Sequence, residues 1–144
     1  MGRVQIEMPE RFAYSTELEV RIGDLNYGNH LGNDQVLSLL HEARRRYLRS
    51  LGEDEIGQDG LGFVIADAAV IYRAQAFYGD ALTVEVAAGE FQSRSCAFFH
   101  RARNQHGVTV AEARLGVVCF DFKAQKAVSF PPRLLAKLQS GGGV

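Results

Sequence analysis

From Gly23 to Leu51 the chain reads GDLNYGNHLGNDQVLSLLHEARRRYLRSL. The part up to Asp34 is rich in Gly, Asn and Asp, which tolerate positive φ and cap helices, so it predicts an irregular loop. From Asp34 onward apolar residues recur at helical spacing, Asn33 or Asp34 is a suitable N-cap, and Gly52 supplies a stop signal. The stretch therefore predicts a polar loop followed by one long helix ending at Leu51.

The apolar surface of this helix is broader than a single stripe. It comprises Val36, Leu37, Leu39, Leu40, Ala43, Tyr47, Leu48 and Leu51. Such a broad surface indicates a helix that a sheet encloses on most sides. The helix also carries Arg44, Arg45, Arg46 and Arg49, which we expect at its rim, as a solvated face or within reach of a phosphate.

Most of the remaining chain is predicted to form strands. Strand-like patterns cover residues 12–22, 61–77, 81–91, 95–104 and 108–122. The turn signals YGD, QSR and QHG separate the last four segments, and residues 53–60 are predicted to form a short loop. After Pro131 and Pro132, RLLAKL predicts a final helical turn, and the SGGGV tail is expected to be disordered and flexible.

The composition fits a single domain spanning residues 1–144, with a core from about residue 10 to residue 138. Its 144 residues are 47% hydrophobic, and a net charge of -1 gives no electrostatic reason to expect a nucleic-acid or membrane partner. No segment has the pattern of a signal peptide or the roughly 20 apolar residues of a membrane helix. We therefore expect a cytoplasmic protein.

The cysteines and histidines do not form a metal-binding pattern. Cys96 and Cys119 fall in strand-like apolar segments and are predicted to be buried free thiols. The four histidines lack ligand spacing with cysteines or carboxylates, and there is neither a C-x-x-C motif nor a nucleotide-type glycine loop. No metal and no cofactor are therefore expected.

The polar loop directly precedes the N-terminus of the predicted helix, a position with chemical consequences. Free backbone N–H groups and the positive end of the helix dipole can hold an oxyanion there. Attack on a thioester carbonyl generates such a negative oxygen. The loop is therefore a candidate site for acyl transfer to water, provided that a base lies nearby.

Two motifs resemble the 4-hydroxybenzoyl-CoA thioesterase-like branch of the hot-dog superfamily. The first consists of Asp24, Asn29-His30, Asn33 and Glu42-Ala43-Arg44, and the second is YRAQAFYGDALTVEV at residues 72–86. The resemblance covers most of residues 10–135. It implies an α+β hot-dog fold, in which a curved five-stranded antiparallel sheet wraps the long helix. An α+β sandwich with the helix on an open sheet face is the alternative.

The resemblance also implies a thioesterase that hydrolyses an acyl-CoA or another acyl thioester and works as a homodimer or homotetramer. A sheet of five strands leaves edges that a second copy can cover. The active sites are then expected between subunits. Plant acyl-carrier-protein thioesterases resemble the same loop, but their Asn position falls on Gly28 here and only His30 is carried over.

One position departs from the family pattern. Many members carry a catalytic Asp two residues after the first Asp, and here that position is Asn26, which cannot act as a base. Hydrolysis must then use His30, Glu42 or Asp34 to activate water. In the expected mechanism the amides around Asn33 receive the oxyanion, and Asn26 orients water or the carbonyl.

The motifs also indicate substrate contacts. The expected contacts with the substrate are Tyr27, Gly32, Asn33 and Tyr72. If CoA is the carrier, its phosphates need cations at the pocket mouth, for which the candidates are Arg73, Arg94 and Arg101.

Several other polar residues are expected to have structural roles. Asp34 is also a candidate helix cap, and His41 is expected to pack or to contact a partner. Asp67, within an apolar strand, needs a partner such as an arginine. His100 and His106 are predicted at the surface.

Two other functions remain open. An R-specific enoyl-CoA hydratase carries an Asp-x-Asn-x-x-His motif that Asp24, Asn26 and His30 nearly reproduce, but here the His comes one residue late. The second alternative is a non-catalytic acyl-CoA-binding module, which the replacement of the catalytic Asp by Asn26 would suit.

Overall fold

The computed structural model describes residues 2–142, which form one six-stranded sheet and two α-helices. In chain order the elements are β1 (Tyr14–Glu19), a 3-10 turn (Ile22–Asp24), α1 (Asn33–Ser50), β2 (Leu61–Tyr72), β3 (Ala81–Gly89), β4 (Ser95–Arg103), β5 (Thr109–Asp121), β6 (Lys126–Ala127) and α2 (Pro132–Gly142). The five predicted long strands and the long helix are confirmed. The two-residue strand β6 is an addition that the sequence did not indicate.

The strands are ordered β1-β3-β4-β5-β2, with β6 beside β5, and every pair is antiparallel. The lengths of the connections between strands account for this order. Tight turns join β3, β4 and β5, so these strands are neighbours in the sheet, whereas α1 lies between β1 and β2 in the chain. The first two strands therefore lie on opposite edges of the sheet. The long edge strand β2 and the N-terminus of α1 meet at the same end, where Leu31 N–H donates to the carbonyl of Ala76.

The main core lies between α1 and the inner face of the sheet. The helix contributes Val36, Leu40, Ala43, Tyr47 and Leu48, and the strands contribute Val84, Val86, Phe98, Ala113 and Val117, all buried. A smaller cluster on the outer face joins Ala87, Ala97 and Phe99 to Ile6, Met8 and Phe12 of the N-terminal segment. Both cysteines are buried free thiols, as predicted.

The start of α1 differs from the prediction. Gly32 is the N-cap residue, and no side chain of the described residues caps the helix, so neither Asn33 nor Asp34 has the predicted capping role. The N–H of Gly32 instead donates to the carbonyl of Asp24 at 3.0 Å. A Cβ at Gly32 would lie 2.7 Å from Oδ1 of Asp34, so a larger residue at this position would displace the Asp34 side chain.

Two surface predictions were wrong because neighbouring elements cover the residues. His100 is 0% exposed, since strand alternation places it inward with Phe98 and Ala102. Arg44 is 5% exposed and lies on the buried side of α1 rather than at its rim. His106, in a turn, is exposed as predicted.

The C-terminal region is more helical than expected. Helix α2 runs from Pro132 to Gly142, so residues 140–142 of the SGGGV tail are helical instead of disordered. The predicted disorder of residues 143–144 lies outside the described residues. Within residues 2–142, neither helix is long and apolar enough to cross a membrane.

Candidate active site

A pocket of about 410 Å³ lies at the N-terminal end of α1, where the 26–33 loop meets the end of β2. Its polar lining includes Asn26, His30, Asn33 and Tyr72. Leu31, Val36 and Val110 form much of its apolar wall. The loop, the helix and the edge strand, distant in sequence, thus bring four of the predicted site residues together.

The loop before the helix is held closed by its own hydrogen bonds. Asn26 N–H donates to the carbonyl of His30 at 2.9 Å, and Asn29 N–H donates to the carbonyl of Asn26 at 3.0 Å. The side-chain Oδ1 of Asn26 accepts the N–H of Gly28 at 2.9 Å. Asn29 adopts a φ of 60°, a conformation that Asn tolerates better than most residues. The loop therefore fixes the position of Asn26 beside the pocket.

His30 is half-buried, and its hydrogen bond indicates the tautomer. Nδ1 lies 3.2 Å from the carbonyl oxygen of Leu31, which can only accept, so Nδ1 is assigned as the N–H donor. The neutral ring then has its lone pair on Nε2. A Cβ at Gly28 would lie 3.0 Å from Nε2, so the ring occupies the space that glycine leaves. This arrangement suits a general base.

The first turn of α1 presents unpaired N–H groups. Gln35 and Val36 both donate to the carbonyl of Gly32, at 3.0 and 3.1 Å. The N–H groups of Asn33 and Asp34 have no protein acceptor among residues 2–142. They lie at the positive end of an 18-residue helix, and Asn33 lines the pocket. This is the geometry that can stabilise a developing negative charge.

Tyr72 and Arg73 complete the pocket from the end of β2. Tyr72 Oη donates to the carbonyl of Asn33 at 3.0 Å. Arg73 lines the pocket and donates from Nε to Glu112 at 2.5 Å. Of the three arginines considered for CoA phosphates, Arg73 is the one at the pocket.

The other two arginines lie elsewhere. Arg101 pairs with Glu85 at 3.0 Å and stacks over the ring of Phe12, on the outer face of the sheet. Arg94 is an exposed residue of the β3–β4 turn and does not line this pocket. These positions do not support a role in phosphate binding at the pocket mouth.

Glu42 is separated from the pocket. It follows Asn33 by nine residues, which places it about half a turn around the helix. It lines a different groove, of about 510 Å³, between α1 and β1. There it accepts a hydrogen bond from Arg46 at 2.8 Å, and Arg46 also donates to Thr16 at 2.8 Å. This position does not support the prediction of Glu42 as the base.

Three other predicted residues also lie apart from the pocket. Asp34 is exposed and does not line it, and Tyr27 is fully exposed at the loop tip. Asp24, the acid of the hydratase-like motif, lines the groove beside β1 and accepts the N–H of Arg21 at 2.8 Å. The carboxylate that a hydratase needs is therefore absent from the described lining of this pocket.

One predicted structural role agrees with the contacts, since Asp67 lies 3.4 Å from Arg114. His41 is exposed and lies 2.7 Å from Glu55 of the same chain, so its predicted role in packing or partner contact stays a prediction. No group of three His, Cys, Asp or Glu residues within 2–142 has the geometry of a metal site.

The pocket also includes residues that the sequence did not suggest. Ala74, Gln75 and Ala76 line it, although residues 61–77 were predicted as one strand. Strand β2 ends at Tyr72, after which the chain bends towards the helix. In the sequence, the polar residues Arg73 and Gln75 could have indicated that this segment does not continue the strand.

Comparisons with known proteins agree with this architecture. The long-chain acyl-CoA thioesterase FadM of Escherichia coli K12 is 28% identical over 126 residues, which cover 86% of this chain and 96% of that protein. The acyl-CoA thioesterase YbgC of Haemophilus influenzae is 26% identical over 126 residues, covering 85% and 92%. A solved 1,4-dihydroxy-2-naphthoyl-CoA thioesterase from Synechocystis superposes with a TM-score of 0.81 at 18% identity, covering 88% of this chain and 95% of that one.

The solved structures confirm the predicted hot-dog fold. The model of the thioesterase-like superfamily matches residues 20–138, which include the loop, α1 and all the strands from β2 to β6. At the level of the family, the prediction of a thioester hydrolase is confirmed. The chain belongs to the thioesterase-like superfamily.

Proposed function

We propose that the protein hydrolyses acyl-CoA thioesters in the pocket at the N-terminus of α1. The observation that carries the proposal is the convergence of His30, Asn26 and Asn33, with its unpaired N–H group, around the pocket at one end of the helix. This set supplies a base, an orienting amide and an oxyanion site, which are the parts that acyl transfer to water requires.

In the proposed reaction, Nε2 of His30 takes a proton from a water molecule, whose oxygen bonds to the thioester carbon. The carbonyl oxygen becomes negative and accepts a hydrogen bond from the N–H group of Asn33. The carbon–sulfur bond then breaks, and His30 returns the proton to the departing thiolate. The amide nitrogen of Asn26 orients the water or carbonyl, because its Oδ1 is already bonded to Gly28.

Coenzyme A is the proposed carrier on two grounds. The relatives FadM and YbgC are described as acyl-CoA thioesterases. Arg73 at the pocket is half exposed and held by one carboxylate, so it is available for a phosphate. Release of free thiol from acyl-CoA, measured with a thiol reagent across aliphatic and aromatic acyl groups, tests the proposal. Turnover of acyl-carrier-protein thioesters alone would contradict the choice of CoA.

The proposed active form is a homo-oligomer, a dimer or a tetramer, formed through the outer edge of β2. Among the described strands this 12-residue strand pairs only with β5, and on its outer edge residues 55–57 bridge its first residues at Gly62. Along it Val64, Ile65 and Tyr72 are 36%, 42% and 49% exposed. A second copy that pairs there would also border the pocket, because Tyr72 lines it. Sedimentation that gave only the 15.9 kDa monomer at micromolar concentration would contradict this.

The proposed location is the cytoplasm. Both cysteines are free thiols, which is typical of a reducing compartment. Fractionation of cells producing the natural protein tests the location, with recovery outside the cytoplasm as the contrary result.

A further inference from the structure

The candidate active site continues inward as a slot between α1 and the sheet. The slot shares Leu31, Val36 and Val110 with the pocket and extends to Leu40 and Ala102. All the side chains that line the slot are aliphatic. A group bound in the pocket therefore has an apolar path into the core.

The slot is almost closed, with a space of about 10 Å³. This is about the volume that one water-sized sphere needs, so an entering chain must displace side chains of the helix and the sheet. Displacing close-packed side chains costs free energy, and the cost increases with each added carbon. The packing alone therefore favours short acyl groups.

A pair of buried polar side chains lies at the inner end of this path. Arg44 is one helical turn beyond Leu40, and His100 precedes Ala102 by two residues on the same face of β4. They are 5% and 0% exposed, and Arg44 Nη1 and both ring nitrogens of His100 have no hydrogen-bond partner among residues 2–142. Burial, together with the nearby Arg44 guanidinium, holds the pKa of His100 at about 3.

An alkyl chain that reached Arg44 would further shield its guanidinium group from water. Its ion-pair partner is Glu55, at 3.8 Å, which is too long for a hydrogen bond. Removing the remaining polar surroundings of a guanidinium costs free energy, so we expect an alkyl chain to end before it reaches Arg44.

We propose that the slot receives the acyl chain and that Arg44 and His100 form its floor, so that the enzyme selects aliphatic acyl groups of up to about ten carbons. This inference rests on the proposed thioesterase function. Val36 and Arg44 are eight positions apart, which corresponds to about 12 Å of helix. An extended alkyl chain advances about 1.25 Å per carbon–carbon bond, because its bonds of ~1.5 Å zigzag, so a chain of about ten carbons fits that length.

The test compares two identical substitutions on β4. Ala102→Val narrows the slot, whereas Ala97→Val adds the same volume on the outer face of the strand, beneath the N-terminal segment. Hydrolysis of acyl-CoA substrates from two to sixteen carbons is measured for each. In Ala102→Val the ratio of kcat/KM for octanoyl-CoA to that for acetyl-CoA should fall about tenfold, and in Ala97→Val it should change less than twofold. The ratio is independent of the fraction of active enzyme.

A second variant examines the floor. His100→Leu replaces an unpaired buried imidazole with an aliphatic side chain, a change that cores often tolerate. The ratio of kcat/KM for dodecanoyl-CoA to that for octanoyl-CoA should rise about fivefold.

The outcomes separate this inference from the function on which it rests. If the parent protein hydrolyses acyl-CoA but the chain-length profile is the same in all variants, the slot proposal is overturned and the thioesterase proposal stands. Equal kcat/KM for octanoyl-CoA and hexadecanoyl-CoA in the parent protein would also overturn it. If the parent protein hydrolyses no thioester, both proposals fail.

Discussion

Tyr72 Oη, at the end of the edge strand β2, donates a hydrogen bond of 3.0 Å to the carbonyl of Asn33 in the first turn of α1. This bond joins the sheet edge to the helix end that provides the unpaired N–H groups. The bond is therefore a contact through which the edge strand positions the proposed oxyanion site.

Removal of this bond should impair catalysis more than folding. Tyr72→Phe is expected to lower kcat/KM three- to tenfold, because a neutral hydrogen bond contributes about 1 kcal/mol. Steady-state kinetics with an acyl-CoA substrate measure the effect. Tyr78→Phe, which removes the hydroxyl of an exposed tyrosine, is the matched control and should change kcat/KM less than twofold.

The assignment of the base can be tested by comparing His30 with Glu42. His30→Gln should lower kcat more than tenfold, since a positioned base commonly contributes 10²- to 10⁴-fold. Glu42→Gln, which changes a residue in the groove beside β1, should leave kcat within twofold. The opposite ranking would place the base on Glu42 and contradict the proposed mechanism.

Asn26→Asp introduces a carboxylate at the position where the family resemblance implies a catalytic Asp. Its oxygen can still accept the N–H of Gly28, so the loop should retain its conformation. We expect a new titrating group in the profile of kcat/KM against pH. A lowered melting temperature with an unchanged profile would mean that Asn26 serves only to stabilise the loop.

His100 should make stability sensitive to acid. Its pKa is about 3 in the folded protein, against the ordinary 6.5, because burial and the nearby charge of Arg44 disfavour the protonated ring. As the pH falls, His100 is therefore protonated at a higher pH in the unfolded chain than in the folded protein. The stability due to neutral His100 is fully present above pH 6.5 and is lost towards pH 3, by up to about 1.4 kcal/mol per pH unit.

Urea unfolding of the parent protein and of His100→Leu at several pH values tests this effect. The free energy of unfolding of the variant should decline less steeply between pH 6.5 and pH 4. Parallel declines would show that His100 is not protonated on unfolding in that range.

Glu53 should stabilise the attachment of α2. It accepts hydrogen bonds from Arg133 at 2.9 Å and from Lys137 at 2.7 Å, which hold its pKa at about 2. Glu53→Gln should lower the free energy of unfolding by about 1–2 kcal/mol at pH 7, a modest value because Arg133 is largely exposed. The effect should be present above pH 4.5 and disappear as the pH falls towards 2. Thermal unfolding at pH 7 and pH 3 measures it, and an equal difference at both would contradict the role of the carboxylate.

The local sequence determined the elements of this fold. The Gly- and Asn-rich loop, the apolar period of α1 and the alternation of the strands depend on residues close together in the chain, and the structure confirms them. The same stretch placed Asn26, His30 and Asn33 at a helix N-terminus. Their proximity follows from spacing of a few residues, so no tertiary information was needed.

Tertiary packing decided which neighbour each face of a helix or strand contacts. The sequence could not show that Glu42 faces β1 while Asn33 faces Tyr72, because that depends on which sheet edge each side of α1 meets. It likewise could not show that His100, which is directly followed by the charged Arg101, faces the buried side of α1. Exposure depends on covering elements that are distant in the chain, and Arg44 and His100 were therefore recognised as a buried pair only in the folded structure.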